Sequence, residues 1–212
     1  PRIINQDIAP ARWYASAAEL YRACTEMGRV WSAIGQRTHR DDVAAHGETL
    51  LKLAPQIYQQ LHASLGKTVW NVTGIPNVRC WPSAVSSPGP LTHPKHQTFR
   101  GYAEMLYSGA MTRQQVADIY NGASGSTCGD RLLVLGSPAL RDPAVSDAAA
   151  GVSLVTTAPY GLAYGLLQYD MVDKFLLHYF TMSAHAYTRG SWTTPESTNV
   201  VDRDDPTVAF TV

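Results

Sequence analysis

The first strong pattern along the chain is helical and runs from Arg12 to Gly35, a segment without proline. Its apolar and small residues recur in steps of three and four, which places them on one face of an α-helix. This stripe comprises Trp13, Ala17, Leu20, Cys24, Met27, Trp31 and Ile34, widened by Tyr14 and Tyr21. The charged residues Glu19, Arg22, Glu26 and Arg29 lie largely off the stripe. The pattern predicts an amphipathic helix whose apolar stripe faces the core.

A second helical pattern follows directly. Asp41 and Asp42 stand where a cap and a first-turn acid are favourable, and Gly66 can end the helix. Pro55 lies inside the run, so we expect a kink or a break near Ala54. Its apolar positions are Val43, Gly47, Leu50, Ala54, Ile57, Leu61 and Leu65, with Leu51 and Tyr58 beside them. Two long helices joined by about five residues predict an antiparallel hairpin.

Two further pairs of helices are predicted after a long irregular connection over residues 66–97. Helical spacing returns over residues 99–110 and again after Thr112, which with Gln115 has the form of a capping box. In the third pair, Pro159 can begin one helix and Asp170 can cap the next, whose pattern predicts nearly complete burial. His178 and His185 share a face of that last helix and are interpreted as packing residues.

The chain is therefore predicted to be mainly α, with three antiparallel helical hairpins and long loops on one side. Residues 132–135 fit a short strand or a helical turn, whereas residues 136–158 and those after Tyr187 predict loops. We treat residues 1–212 as a single helical domain, as the length permits.

Composition narrows the classes of function. The chain has 17 Lys+Arg and 17 Asp+Glu, a formal net charge of zero, which disfavours nucleic acid or an anionic membrane as partner. No apolar run of about 18 residues is present, so no bilayer-spanning helix is expected. Only 16% of residues are charged, whereas 11 Tyr and 5 Trp are present, so neutral and aromatic groups must provide much of the polar chemistry. Oligomeric state and compartment, secreted or cytoplasmic, stay open.

The cysteines leave two interpretations open. Cys24, Cys80 and Cys128 are an odd number, so at most one disulfide can form, and the sequence does not indicate which. Cys80 and Cys128 together with His93 and His96 would instead supply zinc ligands, so a Cys/His zinc-dependent enzyme is an alternative. Phosphate-loop, dinucleotide and G-x-S-x-G motifs are absent, and we assign neither cofactor nor metal.

Residues 187–197 hold the strongest candidates for chemistry. This segment places Arg189, Trp192 and Glu196 among several hydroxyl side chains, just after a helix predicted to be buried. Sugar recognition uses this mixture, because aromatic faces stack on C–H surfaces while neutral donors bind hydroxyl groups. A carboxyl group against an indole loses hydration, which raises its pKa toward the value useful to a general acid. The alternative is a capped surface loop, since Thr-Thr-Pro-Glu is also an ordinary helix start.

Paired helices, long loops on one side and the loop Trp192-Thr193-Thr194-Pro195-Glu196 together resemble the six-hairpin glycosidase-like group. That resemblance implies an (α/α) toroid, sugar binding at the loop end of the toroid, and hydrolysis with inversion by two carboxylates. Three hairpins make half of such a ring, so we expect a partial or fragmentary toroid. The lack of an initiator Met also suggests a processed product or a piece of a longer protein.

Inverting hydrolysis needs a second carboxylate about 6.5–9.5 Å from the first. Asp130 and Asp202 are the loop candidates, with Asp204 and Asp205 close to the latter, while Glu104 is predicted to lie on a helix. Asp130 is equally compatible with a helix cap, and the turn at Asp202 with a solvated segment that contains local ion pairs.

We therefore predict a carbohydrate-active enzyme, with a glycoside hydrolase as the favoured class. Glu196 is the predicted proton donor, and Asp130 or Asp202 its partner. The predicted sugar-binding residues are Trp192, Arg189, Trp81, Tyr160 and His96. Besides the zinc enzyme, the alternative is a non-catalytic helical module that binds a protein partner.

Overall fold

A computed structural model describes residues 13–71, 79–83, 99–125, 128, 133–141, 152–156, 159–185 and 197–199. This part of the chain is mainly helical, as predicted, with a few short strands. Its helices are α1 (Tyr14–Thr38), α2 (Asp41–Thr68), α3 (Phe99–Tyr107), α4 (Arg113–Gly125), α5 (Pro159–Gln168) and α6 (Val172–His185). Its strands are β1 (Trp70–Asn71), β2 (Arg79–Cys80), β3 (Leu133–Val134), β4 (Ser137–Arg141), β5 (Val152–Val155) and β6 (Ser197–Asn199).

Helices α1 and α2 form the predicted antiparallel hairpin. Contacts pair the start of one helix with the end of the other: the Tyr14 hydroxyl lies 2.7 Å from Thr68 Oγ1. At the opposite end, Gly35 lies against the backbone of Ala44, so closely that no Cβ would fit at Gly35. The hairpin is therefore held by close backbone approach where α1 ends and α2 begins, and by a hydroxyl contact where α1 begins and α2 ends.

The apolar stripe predicted to bury α1 is buried only in part. Tyr14 and Cys24 are buried, and Trp13, Ala17 and Tyr21 pack against the core, but the rest of the stripe is exposed. Leu20 is 51% exposed and Ile34 is 47% exposed. The fully buried residues of the helix share only two members with that stripe and are largely small: Tyr14, Ala15, Ala18, Cys24, Gly28 and Gly35. Small side chains allow α1 and α2 to approach closely, and this close packing rotates the larger apolar residues outward.

The same correction applies to α6, which is not nearly all buried. Its large apolar residues with more than a third of their surface exposed are Val172, Leu176, Leu177, Tyr179 and Phe180. Its buried side instead carries the polar residues His178 and Thr181. Thr181 donates a hydrogen bond from Oγ1 to the Leu135 carbonyl at 2.7 Å, which fixes α6 against the turn between β3 and β4.

Helix α2 does not break at Pro55 and extends two residues beyond Gly66. Pro55 is on the exposed side of the helix, while Ala54 is buried. The last turn is held by Thr68, whose hydroxyl contacts Tyr14 in addition to its own helix. This contact between α1 and α2 explains why Gly66 does not end α2.

Helices α1, α3 and α5 lie side by side and run in the same direction. Glu104 and Tyr107, one turn apart on α3, contact Tyr160 and Tyr164 in the same order along α5. Along α1, Trp13 lies against Gly101 near the start of α3, and Arg22 lies against Tyr107 at its end. We call these three helices the helical row; it brings polar side chains from three separate segments onto one surface.

The capping box at α4 is confirmed. The Gln115 amide donates to Thr112 Oγ1 at 3.3 Å, and the Thr112 amide donates to Gln115 Oε1 at 2.8 Å. Pro159 begins α5 as predicted. Asp170, however, does not cap α6: it has a φ of 58° and closes α5 in a Schellman motif, in which the Met171 amide bonds the Leu166 carbonyl at 2.9 Å.

Residues 136–158 are not simply loop, because they include β4 and β5. Strands β3, β4, β5 and β6 form an antiparallel sheet in that order, while β1 and β2 form a separate pair. Leu135 and Gly136 both have positive φ and make the two-residue turn between β3 and β4. The segment 132–135 thus includes a short strand rather than a helical turn.

One hydrophobic cluster joins the described helices with β3 and β5. It includes Leu65 from α2, Leu106 from α3, Val116 from α4 and Leu162 from α5, each almost wholly buried. The row of α1, α3 and α5 therefore has a packed underside and an open polar surface.

Candidate functional site

Two carboxyl groups interact across the open surface of the helical row. Glu19 lies on α1 and Glu104 on α3, and the negative charge of Glu104 is one cause of the raised pKa of Glu19. Glu104 Oε1 in turn accepts a hydrogen bond from the Tyr160 hydroxyl on α5. The site therefore joins one ionisable side chain from each of three helices, and we call it the carboxyl site.

The environments of the two carboxyl groups differ. Burial is the main cause that raises the pKa of Glu19, followed by Glu104, while Arg22 opposes the shift. Glu19 Oε1 is buried and has no hydrogen-bond partner among the described residues. A buried oxygen without a partner favours the protonated acid, because ionisation would leave a charge without compensation. Glu104 instead accepts a hydrogen bond from the Tyr160 hydroxyl.

Tyrosine rings and one arginine surround the carboxyl groups. The Tyr107 ring meets those of Tyr160 and Tyr164 edge-on, with both pairs of centroids 5.2 Å apart. The Arg22 guanidinium carbon lies 3.8 Å from the Tyr107 ring centroid, as in a cation–π pair. Tyr160 and Tyr164 are 40% and 43% exposed, so aromatic surface is open to a ligand beside the acids.

Local sequence explains how the three helices present these groups. Glu19 and Arg22, like Glu104 and Tyr107, are three residues apart, and Tyr160 and Tyr164 are four apart, so each pair lies on one helix face. Gly161 allows α5 to approach α3, because a Cβ there would collide with the Ala103 carbonyl. The glycine therefore sets the spacing at which Tyr160 reaches Glu104.

Trp81, predicted to bind sugar, lies at a different place. Its indole N–H donates to Asp118 Oδ2 at 2.9 Å, and its carbonyl accepts a hydrogen bond from the buried Tyr102. The half-buried ring packs against the hydrophobic cluster. In these contacts Trp81 is a packing residue that links the end of β2 to α3 and α4.

Tyr160 is the one sequence-predicted site residue that the structure brings into the carboxyl site. The other predicted residues lie outside the described part of the chain: Glu196, Asp130, Asp202, Trp192, Arg189 and His96. Their roles stay predictions. Besides the Tyr160 hydroxyl, that of Tyr169 is also hydrogen-bonded and donates to the Met111 carbonyl.

Cys80 and Cys128 form a disulfide. Both sulfurs are therefore bonded to each other, and neither is the thiolate that a Cys/His zinc site requires. His93 and His96 lie outside the described residues. Among the residues that are described, no three His, Cys, Asp or Glu side chains are grouped so that they could hold a metal ion.

Sequence reasoning missed Glu19, Arg22, Tyr107 and Tyr164 as site residues. The helical pattern shows Glu19 and Arg22 only as charges away from the apolar stripe, and Glu104 only as an acid on a helix. One signal was available: α3 and α5 each carry polar or aromatic groups one turn apart. Their contact, however, depends on tertiary packing between segments more than 50 residues apart.

Comparison of this chain with protein families, curated proteins and solved structures finds no match. No helix within the described ranges is long and apolar enough to cross a membrane. Any statement of function therefore depends on the chemistry of the carboxyl site.

Proposed function

We propose that this chain is a carbohydrate-active enzyme, a glycoside hydrolase whose carboxyl pair is Glu19 and Glu104. The observation that carries the proposal is the difference between these two interacting acids: Glu19 is partly buried with a raised pKa, whereas Glu104 is bonded by Tyr160. Paired carboxyl groups with different environments provide an acid and a base within one site. Exposed tyrosine rings beside them supply surface on which a sugar can stack.

In this proposal Glu19 is the general acid. Its raised pKa keeps it protonated at a pH at which an ordinary glutamic acid is ionised, so it can protonate the leaving glycosidic oxygen. Glu104 is the general base that activates water, in line with the inversion implied by the resemblance to six-hairpin glycosidases. Tyr160 is a positioning residue, because its hydroxyl holds the Glu104 carboxylate in place.

Two features of the fold support this class. The row of same-direction helices α1, α3 and α5 is the arrangement expected of the inner layer of an (α/α) toroid, and we propose such a toroid for the whole assembly of hairpins. The disulfide favours an oxidising compartment, as for an exported enzyme acting on external glycans.

Aryl glycosides with different leaving groups test the role of Glu19. In Glu19→Gln, kcat/KM for glycosides with poor leaving groups should fall by about 10²–10⁴-fold, because the proton donor is lost. Activity on dinitrophenyl glycosides should fall much less, since that leaving group departs without protonation. In Glu104→Gln, activity should be lost on both kinds of substrate, because water is no longer activated.

Glu26→Gln is the matched control, as Glu26 is an exposed acid on the same helix, paired with Arg29. It should leave kcat/KM unchanged. Glu196→Gln tests the competing proton donor predicted from the sequence. If that variant, rather than Glu19→Gln, shows the dependence on leaving group, Glu19 is not the acid. A wild-type chain that neither binds nor cleaves any sugar in a broad panel contradicts the proposed function and favours the non-catalytic module.

A further inference from the structure

Arg22 occupies an unusual position for a cation next to two acids. It lies one helical turn after Glu19, yet its guanidinium packs over the Tyr107 ring at 3.8 Å. Tyr107 is itself fixed between the rings of Tyr160 and Tyr164. The Arg22 guanidinium is thus held by the Tyr107 ring, and the rings of Tyr160 and Tyr164 hold the Tyr107 ring in place.

The charge of Arg22 is not neutralised by an ion pair among the described residues. The ion pairs found there join Glu26 to Arg29 and Arg40 to Asp42, and Glu19 Oε1 has no partner although it lies on the same helix face. A hydrogen bond with Tyr107 is the main cause that raises the pKa of Arg22, so the guanidinium stays charged. Its remaining N–H donors have no hydrogen-bond partner within the described ranges and can bind an anion in a fork.

The anion that suits this position carries a single charge. One guanidinium matches one carboxylate in bidentate geometry and neutralises its single charge, whereas a dianion would leave an excess negative charge beside the carboxyl site. Side chains three residues apart on a helix have Cβ atoms about 5–6 Å apart, which is within the reach of one or two sugar rings. A charge bound at Arg22 therefore belongs to the sugar being cleaved at Glu19 or to its direct neighbour.

We infer that Arg22 and Tyr107 form a subsite for the carboxylate of an acidic sugar, so that the substrate is a glycan containing uronic acid. This inference rests on the proposed function and names its substrate class. A sulfated sugar carries the same single negative charge, and binding of matched uronate and sulfated probes distinguishes the two substrates.

Calorimetric binding to the Glu19→Gln background, in which turnover is slowed, tests the subsite. Three matched oligosaccharides serve as probes: one with a uronate, its neutral methyl ester and a sulfated counterpart. The uronate should bind at least about 10-fold more tightly than its ester. Adding Arg22→Gln should weaken uronate binding by about 10–100-fold, the loss typical of a hydrogen bond to a charged group, and leave the ester within about twofold. Arg22→Lys should recover only part of the loss, because it keeps the charge but not the fork.

Arg29→Gln is the control, since Arg29 is an exposed arginine two turns further along α1. It should not change binding of any probe. Equal affinity for uronate and ester, equal loss of both in Arg22→Gln, or binding of the sulfated probe alone overturns the inference while the proposed function stands. If no sugar of any charge binds or is cleaved by the wild-type chain, the proposed function fails and the inference fails with it.

Discussion

Ser137 and His178 form a buried polar pair beneath the turn between β3 and β4. Ser137 Oγ lies 3.0 Å from His178 Nδ1, and the two residues are 0% and 3% exposed. Burial lowers the pKa of His178 to about 4, although nearby backbone carbonyls oppose the shift. The interpretation of His178 as a packing residue is therefore confirmed, since its neutral ring fills a polar position inside the fold.

This buried histidine predicts a loss of stability in acid. Above a pH of about 6.5, His178 is neutral in both folded and unfolded chains and contributes no dependence on pH. As the pH falls toward 4, the unfolded chain takes up a proton that the folded chain excludes, so the free energy of unfolding falls by up to about 3 kcal/mol. Urea unfolding at several pH values should show this slope, and His178→Gln should flatten it. His46→Gln, on the exposed side of α2, is the control; an unchanged slope in His178→Gln contradicts the prediction.

At the scale of elements, helical periodicity located most of the helices but not the faces they bury. The capping box at Thr112 and the proline at Pro159 correctly marked two helix starts, because both signals act within a few residues. The buried face of α1 depends instead on how closely Gly28 and Gly47 let α2 approach, which the residues of α1 alone do not specify. The sequence leaves β3 undecided between a strand and a helical turn and predicts a loop where β4 lies, because both strands are short and Leu135-Gly136 is not a typical turn sequence.

Two glycines in helices are predicted to respond oppositely to the same substitution. Gly66 in α2 has no atom within 4 Å of the position of a Cβ, so Gly66→Ala should stabilise the fold by about 0.5–1 kcal/mol through helix propensity. Gly161 in α5 lies against the backbone of Ala103, which cannot give way as a side chain can. Gly161→Ala should cost about 1–3 kcal/mol and reduce activity by moving Tyr160 from Glu104. Urea midpoints compare the two variants; equal effects would contradict the packing of α5 on α3.

At the scale of the whole molecule, the sequence predicts that the chain is mainly helical more readily than it predicts the carboxyl site. The carboxyl site is built from α1, α3 and α5, and no short motif links Glu19 to Tyr160. Local analysis favours residues that cluster along the chain, such as those of segment 187–197, whereas Glu19 and Glu104 meet only after the helices pack. Of the described residues of the carboxyl site, Tyr160 alone is also a residue that the sequence predicts to bind sugar.

The disulfide acts on the stability of the whole fold. Cys80 and Cys128 are 48 residues apart in sequence, and their bond ties β2 to the end of α4 across the segment that contains α3. Closing a loop of this length restricts the unfolded chain and should contribute about 4 kcal/mol. Reduction, or replacement of both cysteines by alanine, should therefore lower the stability measured by urea unfolding by a similar free energy. Under the proposed function it should also reduce sugar cleavage, because α3 carries Glu104. The buried free thiol Cys24 is the control: Cys24→Ala should remain sensitive to reductant, whereas the double variant should not. A wild-type midpoint that reductant leaves unchanged would mean that helix packing alone positions α3.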